Sequence, residues 1–361
     1  MKSIKTSSLF RLAALLIIAV IVVCMVGFIA EDRAGNKDEP LPDGGGTGEI
    51  PDPTPDKDPA PQAPTPPAYT HYLTGLEITA DRQKTKPLCF VTDTASPLYG
   101  ISGAALTVEI PIENGKSRFL LYQDDIKSLG KIGSVSASRE CILALARLFG
   151  GISVYNGRDG LFDGESGESG GFDLSAQSGY SYTESTSFVY TNGDLLLAGL
   201  QNAGLSTATA TEADRFSFAP HFSDPITLDK KAETVLIPYA QSNETSLYYD
   251  AEVGAYLLGK GGVVKCDLLN GKSAAYTNAF VLFAAATTYE SESVTQMTPD
   301  TLGGGKGYYF THGTATSIEW STDAEGKLIL KKENGDTLTV NRGASYIAFY
   351  KASRASSVVF S

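Results

Sequence analysis

Histidine and cysteine are scarce in this chain. Only three histidines and four cysteines occur among its 361 residues. A disulfide scaffold needs several paired cysteines, and a histidine-rich metal site needs clustered imidazoles. The sequence therefore excludes both classes, and we expect neither a metal nor a cofactor.

Positive charge is also in short supply. Lysine and arginine total 29 against 41 aspartates and glutamates, which gives a net charge of −12 and an isoelectric point near 4.8. Proteins that bind nucleic acid present basic patches to its phosphates. We therefore expect no nucleic-acid partner.

One long hydrophobic run lies close to the N-terminus. Leu12 to Ala30 form 19 consecutive apolar residues, preceded by three basic residues and followed by Glu31 and Asp32. A helix of this length spans about 28 Å, close to the thickness of the hydrocarbon core of a membrane. The positive-inside rule then places the N-terminus in the cytoplasm. Residues 1–30 are predicted to be a single-pass membrane anchor (a signal-anchor), with the folded domains on the extracytoplasmic side of the cell membrane.

Two other interpretations of this segment remain open. Cleavage of a signal peptide after Ala30 would place Phe28 at the −3 position, where a small residue is preferred. Lipidation of Cys24 would require a small residue before it, whereas Val23 stands there.

Residues 31–68 predict a disordered linker. Ten of the 17 prolines lie in this segment, which contains nine acids and three bases and has no apolar periodicity. Such a segment cannot bury enough apolar surface to fold, and proline keeps it extended. We expect a spacer that holds the folded part away from the membrane.

Residues 69–215 predict a mixed α/β domain. Alternating apolar residues indicate strands, Asn114-Gly115 is typical of a hairpin, and Ser138 is a suitable helix N-cap. Pro111 places its strand at a sheet edge or near a strand end. Residues 156–179 are rich in glycine, serine and acids and predict a loop. The predicted strands cover 87–93, 105–112, 118–123 and 152–155, and the predicted helices cover 138–149 and 195–203.

Residues 216–361 predict a mostly β domain. Turn dipeptides such as Asn270-Gly271 recur between short apolar runs, a spacing typical of a sandwich or an open barrel. The whole chain is therefore expected to have an α+β fold. The predicted strands cover 234–238, 246–249, 255–258, 279–288, 306–311, 315–321, 327–330 and 344–350.

The order of several motifs resembles one known family. The stretches HYLTGL (71–76), FVTD (90–93), IGSVSASR (132–139) and GGGKGYYFTHG (303–313) are similar to motifs of the YerB-like family of extracytoplasmic bacterial proteins, which are often lipoproteins of unknown function. The resemblance extends over residues 71–352. Where the family motif reads RSAR, this chain has Ser136 in place of the first arginine.

Charged residues near the predicted helix 138–149 form a candidate anion site. Arg139 in the first helical turn opposes the helix dipole, and an anion bound by the free N–H groups would remove that conflict. The predicted ligand-binding residues are Arg118, Arg139, Asp93, Glu109 and Glu113. Two alternatives remain open: a structural ion pair between Arg139 and Glu140, Glu109 or Asp93, and a use of the carboxylates as an acid–base pair or as ligands of Mg²⁺ or Ca²⁺.

These observations predict a membrane-anchored envelope protein rather than an enzyme. No histidine stands in a motif that would activate a nucleophile. The predicted function is a noncatalytic binding or scaffold module for a cell-wall component or an envelope protein, held on the membrane by the N-terminal helix. The alternative is an enzyme acting on an anionic envelope substrate, similar in layout to LytR-type phosphotransferases, with Asp93, Arg118 and Arg139 in its site.

Overall fold

The computed structural model describes residues 65–158, 171–184, 187–209, 214–290, 295–323 and 327–361. The anchor predicted at 1–30 and most of the linker predicted at 31–68 lie outside the described residues. Within the ranges given, no helix is long and apolar enough to cross a membrane.

The chain is mostly β, and the two α-helices of the described part precede residue 203. The N-terminal elements are β1 Leu88–Asp93, β2 Leu106–Pro111, β3 Ser117–Gln123, β4 Ile132–Val135, α1 Glu140–Leu148, β5 Ile152–Tyr155, β6 Gly171–Asp173, β7 Tyr182–Thr183, β8 Val189–Thr191 and α2 Gly193–Asn202.

The remaining strands follow without a further α-helix in the described part of the chain. They are β9 Ser217–Phe218, β10 Lys230–Lys231, β11 Thr234–Ala240, β12 Asn243–Asp250, β13 Ala255–Lys260, β14 Val263–Val264, β15 Ala275–Tyr276, β16 Asn278–Ala284, β17 Ala286–Glu290, β18 Thr295–Pro299, β19 Gly304–Thr311, β20 Thr314–Thr322, β21 Leu328–Lys332, β22 Thr339–Val340, β23 Ser345–Lys351 and β24 Val359–Phe360.

A large mixed sheet contains strands from both ends of the sequence. Its order is β10-β20-β19-β16-β23-β2-β3-β1-β4-β8-β7, with β21 on β20, β5 on β1 and β6 on β5. The central pair joins β2 to β23 in parallel, with Val108 opposite Ile347. The hydrogen-bonded sheet is therefore continuous across the domain boundary predicted between residues 215 and 216, which stays a prediction.

A second, antiparallel sheet packs on one face of the large sheet. It has the order β14-β13-β12-β11-β24, with β15 on β13. Val235, Leu247 and Leu258 from this sheet share one apolar cluster with Phe119 and Leu121 of β3. The opposite face of the large sheet is covered by α1, whose Ile142 and other apolar residues belong to a second cluster.

Burial on both faces explains the composition of the central strands. In β2 every residue is buried, because Leu106, Val108 and Ile110 point towards the α1 side while Thr107 and Glu109 point towards the second sheet. The alternation predicted for this strand is confirmed. The sequence pattern does not reveal that its polar face is also interior.

Pro111 is the last residue of the central strand β2, so it lies at a strand end, which is one of the two positions predicted for it. Three other local predictions differ from the structure. The N-cap of α1 is Arg139, not Ser138. The loop predicted at 156–179 contains β6, which pairs with β5. The strand predicted at 279–288 is two strands that separate at Ala285, because β16 pairs within the large sheet whereas β17 pairs with β18.

The C-terminal strands do not form the predicted sandwich or open barrel by themselves. Six of them (β10, β16, β19, β20, β21 and β23) extend the large sheet that also holds the N-terminal strands. Turn spacing reveals how long each strand is but not which sheet the strand joins, since partner choice depends on packing over long chain separations.

Candidate functional site

Two of the predicted site residues bind each other. The guanidinium of Arg139 donates from Nη1 to Oε2 of Glu113 at 2.8 Å and from Nη2 to Oε1 at 3.3 Å. The Arg139 side chain is 4% exposed and that of Glu113 is 21% exposed. Such a two-point ion pair fixes the geometry of both groups. Arg139 thus has a carboxylate partner inside the protein, although not one of the three that the sequence suggested.

Local structure brings this pair together. Arg139 has the extended backbone of an N-cap residue, and its side chain does not cap α1. Glu113 begins the turn between β2 and β3, where Asn114 and Gly115 both have positive φ. Partial burial raises the pKa of Glu113, but the hydrogen bond from Arg139 and the charges of Arg139 and Arg118 outweigh burial and leave the pKa below 4.5.

Arg118 lies beside this pair, since its charge acts on Glu113, and Asp93 is on the neighbouring strand. They face each other in the register of β1 and β3. Arg118 donates from Nη1 to the carbonyl oxygen of Ala137, just before α1. Asp93 accepts from the backbone N–H of Ala95 at 2.8 Å. The structure therefore gathers Arg118, Arg139 and Glu113 at one end of the sheet.

Glu109 belongs to a different, interior cluster. It is fully buried and accepts four hydrogen bonds. Oε1 accepts from Ser117 Oγ at 2.5 Å and from Lys260 Nζ at 2.8 Å. Oε2 accepts from Thr245 Oγ1 at 2.7 Å and from Tyr346 OH at 2.5 Å. Both oxygens are saturated, so Glu109 has no lone pair left for a ligand.

The Glu109 cluster connects the two sheets. Thr245 and Lys260 are register partners on β12 and β13 of the second sheet, whereas Glu109 and Tyr346 lie on β2 and β23 of the large sheet. Burial, followed by the charge of Glu109, raises the pKa of Tyr346 well above its usual value. The sequence does not indicate Lys260, Thr245 or Tyr346, since each is far from Glu109 along the chain.

An open groove of about 250 Å³ lies beside Glu113. It is bordered by the turn ending at Lys116, by Tyr239, by the end of β23 with Lys351 and Arg354, and by the β17–β18 hairpin. Three of its described lining residues are cationic, and its acidic residue Glu113 is paired with Arg139. The sequence shows Lys116 in the turn next to Asn114-Gly115. It does not indicate that Lys351 and Arg354 lie close to Lys116 in the folded protein.

The described residues offer no ready metal centre. No three histidine, cysteine, aspartate or glutamate side chains among them are placed to hold an ion. Cys89 and Cys141 are buried free thiols, and burial raises the pKa of Cys89 to about 12 and that of Cys141 to about 11. Neither thiol is a reactive thiolate near neutral pH.

Comparisons with known proteins agree with the sequence motifs. Over 275 residues the chain is 24% identical to YerB of Bacillus subtilis, which carries the provisional description of a lipoprotein; the match covers 72% of this chain and 80% of the relative. The crystal structure of YerB from Bacillus subtilis superposes with a TM-score of 0.69 at 21% identity, covering 81% of this chain and 99% of that chain. The likeness shows that the two proteins share a fold.

Two family matches lie side by side along the folded part. Residues 73–206 match the N-terminal domain, and residues 235–347 the C-terminal domain, of a family described as "Protein of unknown function (DUF3048)". Together these segments make up more than half of the sequence. The resemblance seen in the motifs is therefore confirmed: the chain is similar to YerB and belongs to the DUF3048 family.

Proposed function

We propose that this protein is a membrane-anchored, extracytoplasmic envelope protein that binds a cell-wall component or a partner protein without catalysis. The observation that carries the proposal is the open groove beside Glu113. It is lined by cations and lacks a facing acid–base pair among its described residues. A concave surface of this kind can hold a ligand, and its one described carboxylate, Glu113, is already paired with Arg139.

The contacts of Arg139 and Arg118 favour a binding function over a catalytic one. An enzyme acting on an anionic substrate through Arg139 needs that guanidinium to face the substrate. Arg139 is almost fully buried and is held at two points by Glu113. Arg118 is committed in part to the carbonyl of Ala137.

The proposed location rests on two independent supports. The apolar run 12–30 has the length and flanking charge of a membrane anchor. The relative YerB carries the description of a lipoprotein. Both support attachment of the N-terminus to a membrane, although they favour different modes of attachment.

Cell fractionation tests the location. The full chain with a C-terminal tag is produced in bacterial cells, and externally added protease is applied to spheroplasts. We expect a membrane-bound tag that the protease removes. A tag in the cytosolic fraction would overturn the proposal. Labelling with a fatty acid separates the modes of attachment, because a lipidated protein would incorporate the label and lose it in Cys24→Ala, whereas a helically anchored protein would carry no label.

Sedimentation with isolated cell wall tests the activity. The purified full chain in nonionic detergent is mixed with wall fragments and centrifuged. We expect bound protein and unchanged wall polymer. If the wild-type protein releases polymer from the wall or attaches polymer to it, and Arg118→Ala does not, the protein is an enzyme that acts on an envelope polymer and the binding proposal is wrong.

A further inference from the structure

The basic groove is built on a rigid frame. We use this name for the groove bordered by Lys116, Lys351 and Arg354. The turn that carries Lys116 is pressed against β11, because a Cβ on Gly115 would come within 2.4 Å of Ala240 Cβ. Asn243 Nδ2 donates to the carbonyl oxygen of Gly115 at 2.8 Å. The position of Lys116 relative to the second sheet is therefore set by packing.

Arg354, on the opposite border of the groove, is also fixed in position. Arg354 lies in the 3₁₀ segment Ala352–Ser357 and donates from Nη1 to the carbonyl oxygen of Tyr239 at 2.7 Å. Its guanidinium carbon lies 5.9 Å from the centre of the Tyr350 ring. Arg354 is nevertheless solvent-exposed. It retains donors for a ligand while its direction is fixed, which lowers the ordering cost of binding.

The floor of the groove is not a sugar-stacking platform. Tyr239 is 5% exposed and Tyr350 is 2% exposed, and their rings meet edge to face with centroids 5.5 Å apart. The Tyr350 hydroxyl already donates to the carbonyl oxygen of Pro238. Recognition in this groove therefore depends on the cations at its borders.

The local charge contrasts with that of the whole chain. Three cations border the groove in a protein of net charge −12, and Glu113 is neutralised by Arg139. A cleft lined by one sign of charge concentrates counter-ions of the opposite sign. The space of about 250 Å³ is below the range of about 300–1,000 Å³ typical of pockets that enclose a small molecule. An open groove of this size suits a short segment of a longer chain.

We propose that the basic groove binds the anionic groups of a linear envelope polymer, with Lys116, Lys351 and Arg354 contacting successive phosphate or carboxylate groups. This inference rests on the proposed binding function and names the ligand class of its groove.

Anisotropy titrations with labelled polyanions test this assignment. The full chain in nonionic detergent is titrated into polyphosphate and, separately, into poly-L-glutamate, so that phosphate and carboxylate recognition are distinguished. The groove variant is Lys116→Gln/Lys351→Gln/Arg354→Gln. Its matched control, Lys230→Gln/Lys231→Gln/Lys272→Gln, removes the same net charge from exposed residues elsewhere.

We expect wild type and control to bind at least one polymer with similar affinity, and the groove variant to bind about tenfold or more weakly. The slope of log Kd against log salt should fall by about two, since each neutralised charge contributes about 0.7 in single-stranded polyanions. Equal losses in both variants would indicate unspecific attraction and overturn the assignment, as would absence of binding to both polymers. Circular dichroism checks folding, and single Lys116→Gln repeats the test if the triple variant unfolds.

The experiments distinguish a wrong ligand class from a wrong proposed function. If the fractionation experiment places the protein outside the cell and wall fragments retain it, but neither polyanion binds, the ligand class is wrong and the binding function stands. If the tag is cytosolic, the proposed function fails whatever the polyanions do.

Discussion

Glu109 and Lys260 form an ion pair between the two sheets, with Lys260 Nζ 2.8 Å from Glu109 Oε1. The carboxylate is fully buried and the lysine side chain is 9% exposed. Hydroxyl groups of Ser117, Thr245 and Tyr346 complete the cluster. A buried charge is tolerated only where it is paired and hydrogen-bonded, and here every lone pair of the carboxylate is used.

Removing the charge of Glu109 should therefore lower the free energy of unfolding strongly. Glu109→Gln leaves Lys260 buried without its anion, and breaking a buried pair costs about 3–5 kcal/mol of unfolding free energy. Urea denaturation measures the loss. Glu233→Gln is the control, since the Lys231–Glu233 pair is exposed and should contribute less than about 1 kcal/mol. Equal effects of the two variants would contradict the role of the cluster.

The Glu113–Arg139 pair should make stability depend on acid pH. The pKa of Glu113 lies below its ordinary value of 4.5 in the folded protein. Its contribution is thus complete above pH 4.5 and is lost as the pH falls through the folded pKa. Glu113→Gln should cost about 1.5–3 kcal/mol near pH 7. The difference from wild type should shrink below pH 4.5 in urea titrations, whereas parallel curves would show that the charge is not involved.

His71 should make stability depend on pH in a higher range, just below pH 6.5. It is buried, with Nε2 3.5 Å from Asp124 Oδ2. Burial lowers its pKa below 6.5, and this outweighs the charge of Asp124 while Arg82 lowers the pKa further. The folded protein holds the ring neutral, so stability is complete above pH 6.5 and falls as the pH drops towards the folded pKa.

The variant His71→Gln isolates this contribution. It should flatten the dependence of unfolding free energy on pH just below 6.5, because glutamine does not titrate. His221→Gln serves as the control and should leave that slope in place. NMR titration of the imidazole checks the direction independently: a ring that protonates above pH 6.5 would refute the prediction.

Lys131 should stabilise the fold through its contacts with two aromatic rings. Its ammonium lies 4.0 Å from the centre of the Tyr99 ring and 3.9 Å from that of Tyr190, and 2.7 Å from Glu184 Oε1. A cation over partly shielded rings contributes about 0.5–2 kcal/mol. Lys131→Met should lower the free energy of unfolding by that amount, whereas the exposed Lys127→Met should change it little. Equal stability of the two variants would exclude a cation–π contribution.

The turn beneath the basic groove should not tolerate a side chain at Gly115. A methyl group there meets Ala240 at 2.4 Å, and φ is +69°. Gly271 provides the matched control, since its φ is +73° and nothing lies within 4 Å of an added Cβ. Gly271→Ala should cost about 1–2 kcal/mol from the left-handed backbone alone. Gly115→Ala should lower stability by more than Gly271→Ala does, as measured by thermal unfolding. An equal loss would show that the turn shifts away from Ala240 and would contradict the prediction.

Local features of the fold were predictable from the sequence. Alternating residues and the Asn114-Gly115 turn predicted β2, β3 and their hairpin within one residue of the observed bounds. The strand predicted at 152–155 is β5. Such signals succeed because strand alternation and turn conformation depend on neighbours a few residues apart.

The candidate site was predictable only in part. The sequence indicates both Arg139 and Glu113, but it contains several carboxylates and does not show which of them pairs with Arg139. The sequence also indicates Glu109 as a ligand residue, whereas in the structure four hydrogen bonds from protein groups occupy its carboxylate. Burial on the polar face of β2 depends on the second sheet, which the residues of β2 do not encode.

By itself, the sequence determined the composition of the chain, its family motifs, its net charge and the local bounds of many strands and helices. Tertiary structure decided which charges are paired and which remain at the surface. Glu109 and Lys260 lie 151 residues apart, and Lys116 shares a groove with Arg354. Their meeting depends on sheet register and on the packing of two sheets, which arise from contacts distant along the chain rather than from local conformational preference.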